Sequence, residues 1–186
     1  VSDTLKELEQ LGIEVKILTG DSLVLSEKIC RDLALPIRGV ITGDDLKKLH
    51  TDQWPKVVAA TTIFARIDPE QKEQIITYLQ AGDNVVGFLG DGINDAPGLK
   101  AADVGVSVNN AVDVAKETAD IILLQQDLGV LKAGVLEGRR TFHNTMKYIK
   151  MGLSSNFGNM FSMTVASAFL PFLPMLPVQI LLNNLL

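Results

Sequence analysis

Past Lys150 the chain carries no charge at all. Every Lys, Arg, Asp and Glu of its 186 residues lies at or before that position. A domain of ordinary size is therefore expected to run into a membrane segment. Cysteine is nearly absent as well. Cys30 stands alone, which excludes a disulfide framework and a CxxC metal site and leaves a small core residue on a helix. Aromatics are scarce, with one Trp, two Tyr and seven Phe, and the net charge is −5. No basic cluster has aromatics beside it, so nucleic acid is not an expected partner. No internal repeat, low-complexity tract or Gly/Ser linker divides the chain. No signal peptide opens it, and the first residue is Val1 rather than Met, as in a fragment or a processed end.

What is present is alternation. Leu5, Leu8 and Leu11 lie three apart ahead of Gly12 and predict an amphipathic helix. Residues 15–18 read as a buried strand. Residues 22–33 read as a helix with Leu25, Ile29 and Leu33 four apart. A short strand at 40–42, a short helix near 44–49 and a helix start at Trp54-Pro55 follow. Residues 63–65 form a further strand, and Pro69 suits the first turn of a helix reaching about Gln80. Residues 85–89 look like the clearest buried strand, and 104–108 and 121–124 like two more. Strands separated by helices predict an α/β fold with a mostly parallel, Rossmann-like sheet. Such sheets bind ligands beyond the carboxyl ends of their strands.

A helical pattern then runs on from about Leu128. Arg139, Arg140, Lys147 and Lys150 precede the uncharged stretch, and residues 149–170 are long enough to span a bilayer. The basic residues put the start of that span on the cytoplasmic side. Pro171, Pro174 and Pro177 mark a turn, after which 178–186 begin a second span. A buried helical hairpin in a soluble protein is the competing reading.

Three strand ends carry candidate chemistry. The first is Gly90-Asp-Gly-Ile-Asn-Asp-Ala-Pro97. Asp91, at a strand end, suits Mg²⁺, a hard cation that prefers oxygen. Gly90 and Gly92 allow the backbone close to a phosphate. Asn94 offers an amide donor to a phosphoryl oxygen, and Asp95 can orient its neighbours. The second is Thr19-Gly20-Asp21, a hydroxyl and amides at a helix start, which can hold an anion or simply cap the helix. The third is Asp68-Pro-Glu-Gln-Lys72, whose lysine can reach a phosphoryl group as a point charge or lie solvated on the surface.

In this order on this fold, the three motifs resemble the haloacid dehalogenase superfamily. The run GDGINDAPGLKAADVGVSV narrows the resemblance to P-type ATPases. The resemblance covers essentially the whole chain and implies an ATP-driven cation pump with an aspartyl-phosphate intermediate. It implies Mg²⁺ as catalytic cofactor and ATP as phosphoryl donor. Thr19, Gly20, Asp21, Lys72, Asn94 and Asp95 are expected in the catalytic site. Asp91 with Asp95 is expected at the metal, and Gly90 and Gly92 against the cofactor. The DKTGT motif that carries the phosphorylated aspartate in this family is missing from the chain, as are its nucleotide-binding domain and TGES loop. The chain alone is therefore expected to be inactive. The missing strand is expected to lie beside those ending at Leu18 and Leu89, so that its loss uncovers edges and apolar faces.

The uncharged end is similar to bacterial magnesium-translocating members. This resemblance rests on the proline-rich 166–177 and on 179–185, while Lys147-Tyr-Ile-Lys-Met-Gly-Leu-Ser-Ser-Asn-Phe-Gly-Asn159 resembles the fifth transmembrane helix of P-type pumps more widely. It divides the chain into a partial cytoplasmic phosphorylation domain, 1–145, and the fifth and beginning sixth transmembrane helices, 146–186. The protein is then expected in a bacterial inner membrane as a multi-pass protein, with residues 1 to about 148 cytoplasmic. Expected partners are the lipid bilayer, the rest of the pump and the transported cation. Asn156 and Asn159 share a helix face. With Asn184 they match ion-site positions of related pumps, or serve only as hydrogen bonds between helices. A calcium-type or other cation pump fragment, and a non-catalytic remnant or interaction module, are the alternatives.

Overall fold

A computed structural model describes residues 2–172, 176, 178 and 179. The chain divides into two compact units, Val1–Ala133 and Gly134–Leu186. The first begins with α1 (Ser2–Gln10), β1 (Ile17–Leu18), α2 (Leu23–Asp32), β2 (Val40–Thr42), α3 (Gly43–Leu46), α4 (Trp54–Ala60), β3 (Ile63–Ala65) and α5 (Pro69–Gln80). It continues with β4 (Gly87–Leu89), a 3-10 turn (Ile93–Asp95), α6 (Ala96–Ala101), β5 (Val104–Val108), α7 (Asp113–Thr118) and β6 (Ile121–Leu123). Finally α8 (Leu128–Phe169) starts in the first unit and makes up most of the described second one.

All strand pairs are parallel, as the alternation predicts, but they form two sheets instead of one. The orders are β1-β3-β2 and β4-β5-β6. β1 and β4 are both edge strands among the described residues, with no ladder between them. What joins the two halves is side-chain packing. Leu18 lies against both hydrophobic cores, one around Phe64 and Trp54, the other around Phe88 and Val106. Helix α5 serves both as well, since Ile75 enters the first core and its neighbour Ile76 the second. Each such buried side chain contributes about 1.5–3 kcal/mol relative to exposure.

Helix α5 starts where its sequence says it should. Asp68 accepts from the Gln71 amide at 2.8 Å, Gln71 returns the bond to the Asp68 amide at 3.1 Å, and Pro69 opens the first turn. The bond from the Gln71 amide, helped by Lys47, holds the Asp68 carboxyl below its ordinary value despite some burial.

Two expected faces are turned the other way. In α2 the small residues Ser26 and Cys30 are buried, while Leu25 and Ile29, half of whose surface or nearly so is open, point outward. Burial pushes the Cys30 thiol up in pKa, reinforced by Glu27. The most buried strand is β3, whose Ile63, Phe64 and Ala65 are all 0% exposed. In contrast, β4 alternates, with Phe88 buried and Leu89 exposed, and Val85 lies outside it. Ile121 and Ile122 of β6 are also exposed.

In α8, no residue is buried. No helix among the described residues is long and apolar enough to cross a membrane. The stretch 151–170 is uncharged, but Ser154, Ser155, Asn156, Asn159, Ser162, Thr164 and Ser167 dilute its hydropathy. The crossing expected of 149–170 is thus not shown by the described residues. The helix ends at Phe169, just before Pro171, as expected. The greater part of 178–186, with Asn184, lies outside the described residues, as do Pro174 and Pro177.

Candidate functional site

The chemistry gathers at the carboxyl ends of β1, β3 and β4, as expected for a parallel α/β architecture. The loop after β4 is the most constrained part. Lys72, 7% exposed on the first turn of α5, donates to Asp95 Oδ1 at 2.6 Å. The other oxygen, Oδ2, accepts from the Gly92 amide at 3.0 Å and the Asp91 amide at 3.2 Å. Both oxygens of Asp95 are thus engaged. Burial pushes the Asp95 carboxyl up, but the hydrogen bond and charge of Lys72 and the two amides outweigh it, and the pKa lies below the ordinary value.

The glycines of this loop both meet Asp95. Gly90 is buried, and a Cβ there would lie 2.5 Å from the Asp95 Cβ. Its lack of a side chain makes room for Asp95. The Gly92 amide donates to Asp95 Oδ2. The loop is anchored from behind by β5. The Gly90 amide donates to the Val106 carbonyl at 3.1 Å, and the buried Ser107 hydroxyl donates to the Gly90 carbonyl at 2.9 Å. Asp91 and Asn94 are exposed at the rim.

The loop after β1 is held differently. Thr19 Oγ1 donates to Asp21 Oδ2 at 3.2 Å and accepts from the Asp21 amide at 3.1 Å, so its side-chain bonds are local. Gly20 and Asp21 are exposed. The backbone is tied to the segment after β3: Arg66 donates its amide to the Asp21 carbonyl at 3.0 Å, and Ile67 to the Thr19 carbonyl at 3.1 Å. Arg66 holds φ at 51°, a left-handed conformation that costs a non-glycine residue about 1–2 kcal/mol.

The structure therefore brings Lys72, Asp91, Gly92 and Asp95 into one bonded group. Thr19 and Asp21 form a second group, joined to the first through the chain segment from Arg66 to Lys72. No hydrogen bond or ion pair directly links the two groups among the described residues. Asn156 and Asn159 lie exposed or partly exposed on α8, in the other unit. No cluster of three or more His, Cys, Asp or Glu suited to a metal occurs among the described residues. The donor set of this chain nevertheless fits a partial Mg²⁺ site. Asp91 is an exposed carboxylate at a strand end, and Mg²⁺ is commonly held by one or two carboxylates with phosphates and waters.

Sequence reading missed Ser107, Gly43 and the backbone of Arg66. Ser107 and Gly43 make their contacts with residues 17 and 28 positions away. The one visible signal was that Thr42-Gly43-Asp44 repeats Thr19-Gly20-Asp21 at the end of a second strand.

Residues 1–103 match the haloacid dehalogenase-like hydrolase family. The chain belongs to that family. It is 58% identical over 182 residues to the magnesium-transporting ATPase, P-type 1, of Salmonella typhimurium, a match covering 98% of this chain and 20% of that one. The protein of the same name from Escherichia coli K12 is 57% identical over 182 residues, with the same coverage. The chain thus spans about a fifth of the length of the curated relatives it matches. Among solved structures, a zinc-transporting PIB-type ATPase in the E2.Pi state aligns with a TM-score of 0.68 and 25% identity, covering 99% of this chain and 24% of that one. The α/β architecture derived above is that of the haloacid dehalogenase-like family, and the chain is homologous to P-type pumps.

Proposed function

We propose that this chain supplies the phosphoryl-stabilising part of an ATP-driven cation pump, with Mg²⁺ as the transported ion. The buried Lys72–Asp95 pair behind an exposed Asp91 is the observation that carries this reading. The likeness to proteins named as magnesium-transporting ATPases supports the ion.

In this reading the γ-phosphoryl of ATP passes to an aspartate on a strand outside the chain, with ADP as leaving group. Lys72 neutralises charge on the transferred group, and Thr19 donates its hydroxyl to a phosphoryl oxygen. Asn94 adds an uncharged donor. Asp95 holds Lys72 and the backbone of the loop, and Asp91 is the residue of this chain that would hold a catalytic Mg²⁺. Bound there, the ion would supply charge stabilisation to the phosphoryl oxygens. Transfer of this kind is mostly positioning and electrostatics, and a group fixed before the reaction costs no reorganisation during it.

The free edges of β1 and β4, both beside Leu18, support an outside strand entering between them, and the exposed Leu25, Ile29 and Leu89 support a cover of outside residues. Residues 149–170 cross the membrane as one member of a bundle in this reading. Their amides and hydroxyls face other helices, which makes modest hydropathy sufficient. Asn156, Asn159 and Asn184 line the ion path, and residues before about 148 stay cytoplasmic.

The test uses a complete pump containing this chain. Asp91→Asn is expected to lower phosphoenzyme formation by about 100-fold, and near-normal labelling from radioactive ATP would refute its role. The 186-residue chain alone is expected to form no acid-stable phosphoenzyme. Cysteines replacing Lys147 and Phe172 are expected to label from opposite sides of the membrane, and same-side labelling would refute the crossing.

A further inference from the structure

Gln71 directly precedes Lys72 and is 4% exposed. Its amide is used at both ends. Oε1 accepts from the Asp68 amide at 3.1 Å, and Nε2 donates to the Gly43 carbonyl at 2.8 Å. The first bond closes the capping box of α5, a device open to many helix starts. The second has nothing to do with capping. It joins α5 to the β2–α3 junction, 28 positions earlier.

That junction has no room for a side chain. A Cβ on Gly43 would lie 2.4 Å from the Arg66 carbonyl oxygen and 2.6 Å from Gln71 Oε1. Gly43, Arg66 and Gln71 thus meet in one tight seam, and the same Arg66 donates its amide to Asp21. An ion pair between Lys47 and Asp68 at 3.1 Å crosses the junction too, but both side chains are well exposed and the pair is weak in water. The buried amide of Gln71 is the strong tie.

We propose that Gln71 is a positioning residue that acts through Lys72, by fixing the first turn of α5 against Gly43. A lysine is a point charge on a flexible stem. Its place is set at the tip by Asp95 and at the root by the helix turn that Gln71 anchors. With the root displaced, Lys72 can satisfy Asp95 or reach a phosphoryl group, but not both in the same geometry. The proposal rests on the reading that Lys72 neutralises the transferred phosphoryl, and the test separates the two.

The decisive variant is Gln71→Glu in a complete pump containing this chain. Glutamate serves a capping box as well as glutamine does. It still accepts from the Asp68 amide but cannot donate to the Gly43 carbonyl. The phosphorylation rate at saturating ATP, normalised to folded protein, is expected to fall roughly tenfold or more, with KM for ATP unchanged. Gly43→Ala, which forces the seam open from the other side, is expected to do the same. The double variant is expected to be no worse than the poorer single one, since the two share one contact. Gln71→Met, which is of similar length and makes neither bond, replaces Gln71→Glu where the buried carboxylate prevents folding.

Lys72→Met is the control for the underlying reading. If it leaves the phosphorylation rate intact, the role of Lys72 fails and the proposal with it. If Lys72→Met slows phosphorylation while the Gln71 and Gly43 variants run at the normal rate per folded molecule, the positioning role alone is overturned. The positioning role is equally overturned if those variants raise KM and leave the rate unchanged.

Discussion

The two loops that meet at the candidate site are built on opposite principles. After β4, Asp95 commits both its oxygens to three donors, one of them a lysine with under a tenth of its side chain exposed. After β1, Thr19 and Asp21 bond mainly to each other and lie near water. The first loop is held by long-range contacts that only the complete fold provides. The second keeps its side-chain bonds within its own turn, while its backbone is tied across the fold by bonds from Thr19 to Phe64, from Arg66 to Asp21 and from Ile67 to Thr19. A rigid loop can keep a charge aimed, while a local turn can reshape when a ligand arrives. The proposed function then predicts pre-organisation on the Lys72 side and adjustment on the Thr19 side.

The sharpest way to break that contrast is Lys72→Met. It leaves the Asp95 carboxylate partly buried with its strongest donor gone. Removing one partner of a buried pair costs about 3 kcal/mol. Denaturant unfolding of the chain in detergent is expected to show a loss of that order, with the midpoint shifted and the slope retained. An unchanged midpoint would mean that the pair is no tighter than a surface one. Next in size is Gly90→Ala. Its added Cβ would lie 2.5 Å from the Asp95 Cβ, so the loop must shift. Overpacking of this kind costs about 1–3 kcal/mol, and the same unfolding experiment reads it. Gly92→Ala is the internal control, because its Cβ would meet nothing closer than 3.4 Å.

The difference between the loops also bears on what the sequence could tell. The start of α5 was legible from Pro69, which acts within a single turn. The strand at Ile63–Ala65 and the end of α8 before Pro171 were legible for similar reasons of local pattern. The loop from Gly90 was legible only as a motif. Its bonding was not, because Lys72 and Ser107 come from elements far away in sequence. On α2, Cys30 was legible as a small core residue, but the spacing of Leu25 and Ile29 did not reveal that those two stay exposed. The division into two sheets was invisible to periodicity, which finds strands but not their neighbours. Asn156 and Asn159 were readable as polar positions in an uncharged helix, yet those same residues lower its hydropathy below that of a self-evident span.

A smaller effect is expected from acid. The Asp95 carboxyl titrates below its unfolded value, so its contribution to stability is present above about pH 4 and is lost as pH falls through the folded pKa. Asp68 behaves in the same direction through its bond from Gln71. Stability followed by denaturant unfolding from neutral pH downward is expected to decline below about pH 4. In Asp95→Asn that decline is expected to be shallower, with the remaining slope carried by Asp68 and other carboxylates. An identical slope in the variant would show that the Lys72 pair does not hold Asp95 in its charged form.

The smallest effect, and the one that tests the other loop, belongs to Thr19→Val. The hydroxyl of Thr19 bonds only to Asp21, two residues on, in a partly exposed turn. Losing it leaves no buried polar group without a partner, so the chain is expected to lose less than about 0.5 kcal/mol. Valine keeps the β-branched shape, and the backbone bonds from Arg66 and Ile67 do not involve the side chain. Function separates from stability here. If the Thr19 hydroxyl turns from Asp21 to a phosphoryl oxygen when the ligand arrives, Thr19→Val in a complete pump slows phosphorylation while unfolding stays as in the parent. Thr19→Ser, which keeps the hydroxyl, restores the rate. A fall in stability comparable to that of Lys72→Met would instead mean that the Thr19 turn is as much a part of the folded frame as Asp95 is, and the contrast between the two loops would not stand.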